Sequence, residues 1–263
     1  MKVLWAALFG LAAALPQAAT AAPVRACGAE VEFPPFLFNQ QPGNLISSTG
    51  IVVDLLQLTM QQAGLPDAQI ERLPWLRCLK LVESGIVDIA LNVPTAQIDP
   101  KPYYISEPYS EVHSIYYYST SKRPAGLHIK DLEDLKHLRI CGLMGNRYES
   151  YGIDSSKVDT GATTYAAMVG KLNMGFCDVI VEKQEIIDSL MSRDKELAAL
   201  FGANNLARKP LPEELPLGLH FAISRRSSKA QMLLNQLNIT ISNGRKSNLI
   251  EQIHNSYLSK PKK

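Results

Sequence analysis

Residues 70–93 read IERLPWLRCLKLVESGIVDIALNV. The stretch opens on a short β-prone run, IERL (70–73), and breaks at Pro74. It continues as an amphipathic helical segment that stops at Gly85 and closes on VDIALNV (87–93), an apolar run of the kind buried in a sheet. A strand, a helix and a second strand in so little chain predict a βαβ unit, hence parallel neighbours with a helix on one face. The helix start carries an unusual group. PWLRC places Trp75, Arg77 and Cys78 within one turn, in a chain with only 2 Trp and 4 Cys. Residue by residue, the ordinary reading is a core Trp, a solvated Arg and a small apolar Cys.

Working outward, the same rhythm extends in both directions. Upstream lie a strand-like run, ACGAEVEF (26–33), the turn-rich PPFLFNQQPGN (34–44) and GIVVDLLQLTMQQAG (50–64). The last puts Val52, Leu55, Leu56 and Thr59 on one helical face and stops at Gly64. Together these make βαβαβ, with right-handed crossovers expected. Downstream the rhythm restarts: HSIYYYST (113–120) reads as a strand, KDLEDLKHL (130–138) as an amphipathic segment and LRICGLMG (138–145) as a strand ending in Gly. TTYAAMVGKLNMG (163–175) and QEIIDSLMSR (184–193) read as helices around the strand DVIVE (178–182). The chain returns through the Pro-rich RKPLPEELPLG (208–218) to a strand, LHFAIS (219–224), and closes on two amphipathic helices. The class is α/β. Some 240 residues after a leader suit one large domain or two modest ones.

Residues 1–21 have the form of a secretory signal peptide: Lys2, an apolar run from Val3 to Leu15, and small residues at Ala19 and Ala21, with cleavage expected after Ala21. No later run approaches the roughly 18 apolar residues of a membrane span. The expected location is therefore outside the inner membrane, in the periplasm, where disulfides are permitted. Four Cys allow three pairings that spacing alone does not rank. None shows C-x-x-C spacing, and the five His are scattered, so no metal and no cofactor is read from the sequence. Of 27 basic residues, removal of Lys2 leaves 26 against 25 acidic ones. That balance argues against nucleic acid as a partner. No G-x-S-x-G or similar nucleophile motif is present.

Taken in order, FPPFLF (33–38), GIVVDLL (50–56), ESGIVD (83–88), SEPYS (106–110), DLEDLKHLRICGLMGNRYE (131–149), GFCDVIVE (175–182) and the final helix resemble the family 3 periplasmic solute-binding proteins. That group includes the amino-acid receptors of ABC importers, and PWLRC with GFCDVIVEK resembles one branch of it. The resemblance implies the type II fold: two α/β lobes with parallel-type sheets flanked by helices, joined by two crossing hinge segments, with ligand between them. Lobe 1 would be discontinuous, 22–110 plus 208–263, and lobe 2 would span 111–207.

The resemblance also implies roles for particular residues. Trp75 would cover one face of the ligand and Phe33 the opposite wall. Gly145, Asn146 and Arg147 would grip a carboxylate, with backbone amides assisting at a helix start. Arg77 is either a rim cation or a solvated partner of a nearby Glu. The cysteines would pair within lobes, Cys27 with Cys78 and Cys141 with Cys177. Two departures from the family pattern stand out. After Thr95, where a T-x-x-R pattern supplies the carboxylate-binding Arg, this chain has Ile98. The Asp that holds an α-ammonium falls at Lys183, beside Glu182. Adjacent strand residues face opposite ways, so one of Glu182 and Lys183 is expected to line the cleft.

The resemblance implies no catalytic residue. It makes the protein a monomeric receptor for a small-molecule ligand, delivered to an inner-membrane ABC permease. Its alternatives are an orphan receptor reporting to a membrane sensor and a cleft enzyme of the cyclohexadienyl dehydratase type. An anion grip displaced to Arg147 and Lys183 points to a small carboxylate or other anionic solute, with zwitterionic amino acids binding poorly. An inward-facing Glu182 would restore an amine site.

Overall fold

The computed structural model describes residues 22–39, 48–95, 98–146, 148–212 and 216–258. The segment read as a signal peptide, 1–21, and Arg147 lie outside them. In chain order, β1 (Arg25–Ala29), β2 (Phe38–Asn39) and β3 (Ser48–Thr49) precede α1 (Ile51–Gln62), β4 (Gln69–Leu73), α2 (Trp75–Ser84) and β5 (Ile89–Pro94). Next come β6 (Tyr103–Ile105), β7 (Ser110–Val112), β8 (Ser114–Ser119), β9 (Ile140–Leu143), β10 (Val158–Ala162) and α3 (Tyr165–Met174). They are followed by β11 (Val179–Lys183), α4 (Gln184–Arg193), α5 (Lys195–Phe201) and β12 (Leu206–Pro210), then β13 (Leu217–Ser224), α6 (Ala230–Lys246) and α7 (Leu249–Leu258).

The βαβ unit of residues 70–93 is β4–α2–β5. Pro74 occupies the cap position of α2, where its missing N–H costs nothing. Gly85 ends the helix at φ 80°, returning its N–H to Val82. A side chain there would be strained by that φ and would press on Arg226. The apolar face read for α1 is the buried one: Ile51, Val52, Leu55, Leu56, Thr59 and Met60. The segment at 130–138 is a 3-10 helix, Leu132–His137, whose cap Asp131 accepts a hydrogen bond from the Asp134 N–H.

Two large sheets form. The first has the order β4-β1-β5-β13-β6, with β7 also on β13; the second runs β10-β9-β11-β8-β12. The parallel pairing expected from the βαβ rhythm holds for β4, β1 and β5 and for β10, β9 and β11. By contrast β13 and β8 pair antiparallel with their neighbours. These strands enter directly from the other sheet, not through a crossover helix, so they need not run parallel. The sheets and their helices are the two lobes of a type II binding-protein fold.

Two connections join them. His113 alone separates β7 of the first sheet from β8 of the second, and Leu211 leads the chain out of β12 on its way back to β13. The connections run side by side: Ile115 pairs with Pro210, Val112 with Leu217, and the Leu211 N–H donates to the Ser114 carbonyl at 3.0 Å. Each sheet is buried on both faces. In the second, Tyr116 and Tyr118 face one cluster with Val179 and Val181, while Ile115 and Tyr117 face another with Ile180 and Cys141. This is the two-residue alternation of a strand.

Both disulfides lie within a lobe. Cys27 joins Cys78 and Cys141 joins Cys177, each with Cα atoms 5.7 Å apart. The first ties β1 to the start of α2; neither bridge crosses the hinge connections.

Candidate functional site

A cavity of about 520 Å³ lies between the two sheets, within the 300–1,000 Å³ usual for small-molecule sites. From the first lobe it is lined by Val31, Glu32, Phe33, Leu37, Trp75, Leu91 and Asn92, and from the second by Leu143, Asn146, Tyr151, Tyr165, Glu182, Lys183 and Ile186. It sits at the carboxyl ends of the parallel strands β1, β5, β9 and β11, where an open α/β sheet leaves a crevice.

Its first-lobe wall is aromatic and aliphatic. Trp75 is half-buried, packing on one side against the cluster that holds Cys27 and Cys78 and meeting the cavity on the other. Phe33 is braced by Phe36, ring centroids 5.3 Å apart. Asn92 lines the cavity with its backbone at φ 54°, in the left-handed region that few non-glycine residues occupy. Opposite this point the pairing of β5 with β13 slips between His220 and Ala222. The slip breaks the strand's alternation and turns Leu91, Asn92 and Pro94 toward the cavity together. The Tyr109 hydroxyl holds the Asn92 side chain.

The second-lobe wall carries the charge. Lys183 is 6% exposed; its Nζ donates to Ser114 Oγ at 2.8 Å and lies 4.0 Å from the centre of the Tyr151 ring. Glu182 is 3% exposed, and its Oε1 has no hydrogen-bond partner among the described residues. Burial raises its carboxyl to about 7, opposed by a backbone hydrogen bond at Lys183 and the Lys183 charge. Tyr148, buried behind them, accepts a hydrogen bond from the Leu143 N–H at 2.9 Å and stacks on Tyr151; burial pushes its hydroxyl to about 12. Burial likewise raises the Tyr165 hydroxyl well above its ordinary range. Among the described residues no His, Cys, Asp and Glu cluster could hold a metal.

Residues 26–260 match the family described as bacterial extracellular solute-binding proteins, family 3. The chain belongs to that family. No curated protein matches the sequence of this family 3 protein. Solved structures do share its fold. The Bacillus subtilis protein YCKB superposes with a TM-score of 0.67 at 17% identity, covering 92% of each chain. A Streptococcus pneumoniae amino acid ABC transporter substrate-binding protein bound to L-arginine has a TM-score of 0.61 at 15% identity, covering 90% of this chain and 94% of its own. An ancestral cationic amino acid solute-binding protein has a TM-score of 0.60 at 17% identity, covering 90% and 96%.

Of the residues singled out in this family 3 protein's sequence, Phe33, Trp75, Asn146, Glu182 and Lys183 are brought together around the cavity. Gly145 is not among its lining residues; it forms the exposed turn before Asn146, at φ 85°, a value suited to Gly. Thr95 is exposed and lines no part of the cavity. Arg77 is exposed too, and its guanidinium makes no hydrogen bond or ion pair among the described residues. Arg147 lies outside the described residues. The expectation that one of Glu182 and Lys183 would line the cavity is corrected: both do. They project to opposite faces of β11, but the strand ends at Lys183 and α4 begins at Gln184, so the crevice wraps the strand's end and receives both. Sequence reading missed Tyr151, Tyr165 and Asn92, which reach the cavity from a short 3-10 helix (Glu149–Tyr151), the start of α3 and a strand irregularity. No motif marks any of the three.

A smaller cavity of about 310 Å³ lies at the opposite pole of the second sheet, beside Cys177, lined by Lys122, Arg123, Arg139 and Asp178. Asp178 accepts from Arg123 at 2.7 Å and from the Arg139 Nε at 3.1 Å. The Arg139 hydrogen bond, aided by that from Arg123, holds its carboxyl well below the usual carboxylate range.

Proposed function

We propose that this protein is an exported receptor that captures a small organic solute bearing a carboxylate and presents it to an inner-membrane ABC permease. The single observation that carries the reading is the cavity between the sheets, with Trp75 and Phe33 on one wall and Lys183 and Asn146 on the other. The lobes would be 22–110 with 208–263, and 111–207, closing by rotation about the two crossing connections at His113 and Leu211. Aromatic faces desolvate the body of the ligand, while Lys183 and Asn146 supply a cation and an amide for its anionic group. No Arg follows Thr95 at the position where the family's amino-acid receptors carry one, so the grip on the anion falls to the second lobe. The protein would work as a monomer.

A thermal-shift screen against small organic acids, amines and amino acids tests this. Deaminated carboxylates are expected to raise the melting temperature more than the matching amino acids. Preferential stabilisation by amino acids, lost in Glu182→Gln, would reassign the site to an ammonium.

A second reading is favoured by Glu182 itself. A buried carboxyl near 7 in a cleft has the acidity of a general acid. On that reading the cleft turns over its solute by an acid-assisted elimination of the dehydratase type. Mass spectrometry of a bound solute recovered unchanged after long incubation would retire it.

A further inference from the structure

Glu182 stands out across the whole molecule. Among the described residues two buried side-chain polar atoms lack a hydrogen bond, Glu182 Oε1 and Ser189 Oγ, and the Glu182 side chain lines the cavity. A buried, unpartnered acid oxygen costs stability that a ligand group can recover. The geometry points to its use. We propose that Glu182 donates its carboxyl proton to the carboxylate of an apolar-bodied solute, beside the Lys183 ammonium, so that capture is coupled to proton uptake. This rests on the solute-receptor reading above and deepens it by naming how the head group is recognised.

The surroundings of Glu182 support the neutral form in the bound state. On its own strand the neighbouring charge is Lys183, already oriented by Ser114 of β8 and the Tyr151 ring. Tyr148, Tyr165 of α3 and Tyr117 of β8 are its titratable neighbours, and burial raises the hydroxyl of each, so all are neutral near neutrality. On α4, Glu185 is held by His113, and Asp188 by Arg208 of β12. Cys141 of β9 is committed to a disulfide. Across the cavity, Glu32 is spent on the Asn39 N–H and lies 4.0 Å from Arg72. A carboxylate placed against Lys183 would meet an ionised Glu182 as a like charge and a protonated Glu182 as a donor. The first repels and the second forms a short O–H···O⁻ bond. Burial has already brought the carboxyl to about 7, so holding the proton at neutral pH asks little of the ligand. The apolar body follows from the rest of the lining, which is dominated by Leu37, Leu91, Leu143, Ile186 and the aromatic rings.

The balance is simple. One proton from solvent joins Glu182 as the anionic solute enters, and both leave together. Above about pH 7 the apparent affinity for an anion should fall about tenfold per pH unit, and below about pH 6 it should level off.

The test titrates the full mature chain with 3-phenylpropanoate, 2-phenylethylamine and L-phenylalanine, which share one body and differ in head group. Calorimetry at pH 6, 7 and 8, in two buffers of different ionisation enthalpy, reads affinity and protons together. The expected result is binding of 3-phenylpropanoate with uptake approaching one proton at pH 8. Glu182→Gln, a neutral donor of the same shape, should keep affinity within several-fold at pH 6 and lose both the uptake and the pH dependence. Tighter binding by 2-phenylethylamine or L-phenylalanine overturns the proposal, as does proton release, or loss of all binding in a Glu182→Gln protein that melts normally. If none of the three probes binds at millimolar concentration, the assignment of an apolar-bodied carboxylate is overturned. Stabilisation by some other solute in the thermal-shift screen would then leave the receptor reading standing, and its absence there would remove both.

Discussion

Glu185 accepts two hydrogen bonds from one residue, His113: the backbone N–H at 2.9 Å and the ring Nδ1 at 2.7 Å. His113 is the single residue between the last strand of the first sheet on this pass and the first strand of the second. Glu185 stands in the first turn of α4, which starts where β11 ends at Lys183. One carboxylate thus ties the crossing connection to the helix that follows the charged wall of the cavity. Glu185→Ala is expected to destabilise the protein by about 1–3 kcal/mol, because a backbone N–H at the crossing is left without its partner. His113→Ala keeps that N–H bond and should cost less. Denaturant unfolding of the two variants checks the order; equal losses would place the whole effect in the imidazole.

Trp75 is expected to report the ligand. Its ring meets the cavity on one side, so its fluorescence should change when a solute binds to protein prepared without residues 1–21, in which Trp75 is the sole Trp. Trp75→Ala should lose about 0.5–2 kcal/mol of binding, roughly two- to thirty-fold in affinity, in a protein that still folds. Unchanged affinity in the folded variant would mean that the indole serves only the packing beneath it.

The charge state of Glu182 makes stability depend on pH in the absence of ligand. Its carboxyl is raised from 4.5 to about 7 by burial, so the native state holds a proton that the unfolded chain gives up. The stability of the neutral form is therefore complete below about pH 4.5 and is lost as the pH rises to about 7. Glu182→Gln should match the wild type at pH 4 and exceed it by on the order of 3 kcal/mol at pH 8. Chemical denaturation at the two pH values reads this directly, and an advantage of the variant over the wild type no larger at pH 8 than at pH 4 would place the carboxylate in a wetter setting.

Asp178 predicts the opposite sign. Its carboxyl is lowered by Arg139 and Arg123, so its contribution is present above about pH 4 and is lost as the pH falls further. Asp178→Asn is expected to cost about 1–3 kcal/mol at pH 7, through the bonds to both guanidiniums and to the Arg139 N–H. The deficit should shrink in acid, where the wild type loses the same bonds. A deficit constant from pH 7 to pH 3 would contradict the assignment.

The disulfides close sequence separations of 51 and 36 residues, one per lobe. Non-reducing peptide mapping should recover Cys27 with Cys78 and Cys141 with Cys177. Replacing either pair by Ser should cost about 2–5 kcal/mol. Loss of the Cys27–Cys78 bridge should also weaken solute binding, because that bridge anchors the turn of α2 that carries Trp75, whereas loss of Cys141–Cys177 should leave binding nearer the wild type.

The sequence alone determined the α/β class, the order of nearly all the helices and central strands, and the family. These follow from local periodicity: the face of α1, the Pro74 start and Gly85 stop of α2, and the apolar runs of β5 and β11 are each written within a dozen residues. Given the family, the two disulfides followed as well. The edge strands β10 and β12 escaped notice, because partners far along the chain define them and no local apolar pattern does. Only the tertiary structure decided how the site is composed. Alternation along a strand assigns Glu182 and Lys183 to opposite faces, and that rule ends where the strand ends. Tyr151, Tyr165 and Asn92 reach the same cavity from a 3-10 helix, an α-helix and a slipped register. Whether a carboxyl beside a lysine is paired or left without a hydrogen bond, and whether water reaches it, depends on side chains brought together from distant parts of the chain. For Glu182 the structure answers that it is buried, that one oxygen has no partner among the described residues and that it borders the cavity, a combination that burial energetics makes consequential and that no spacing in the sequence encodes.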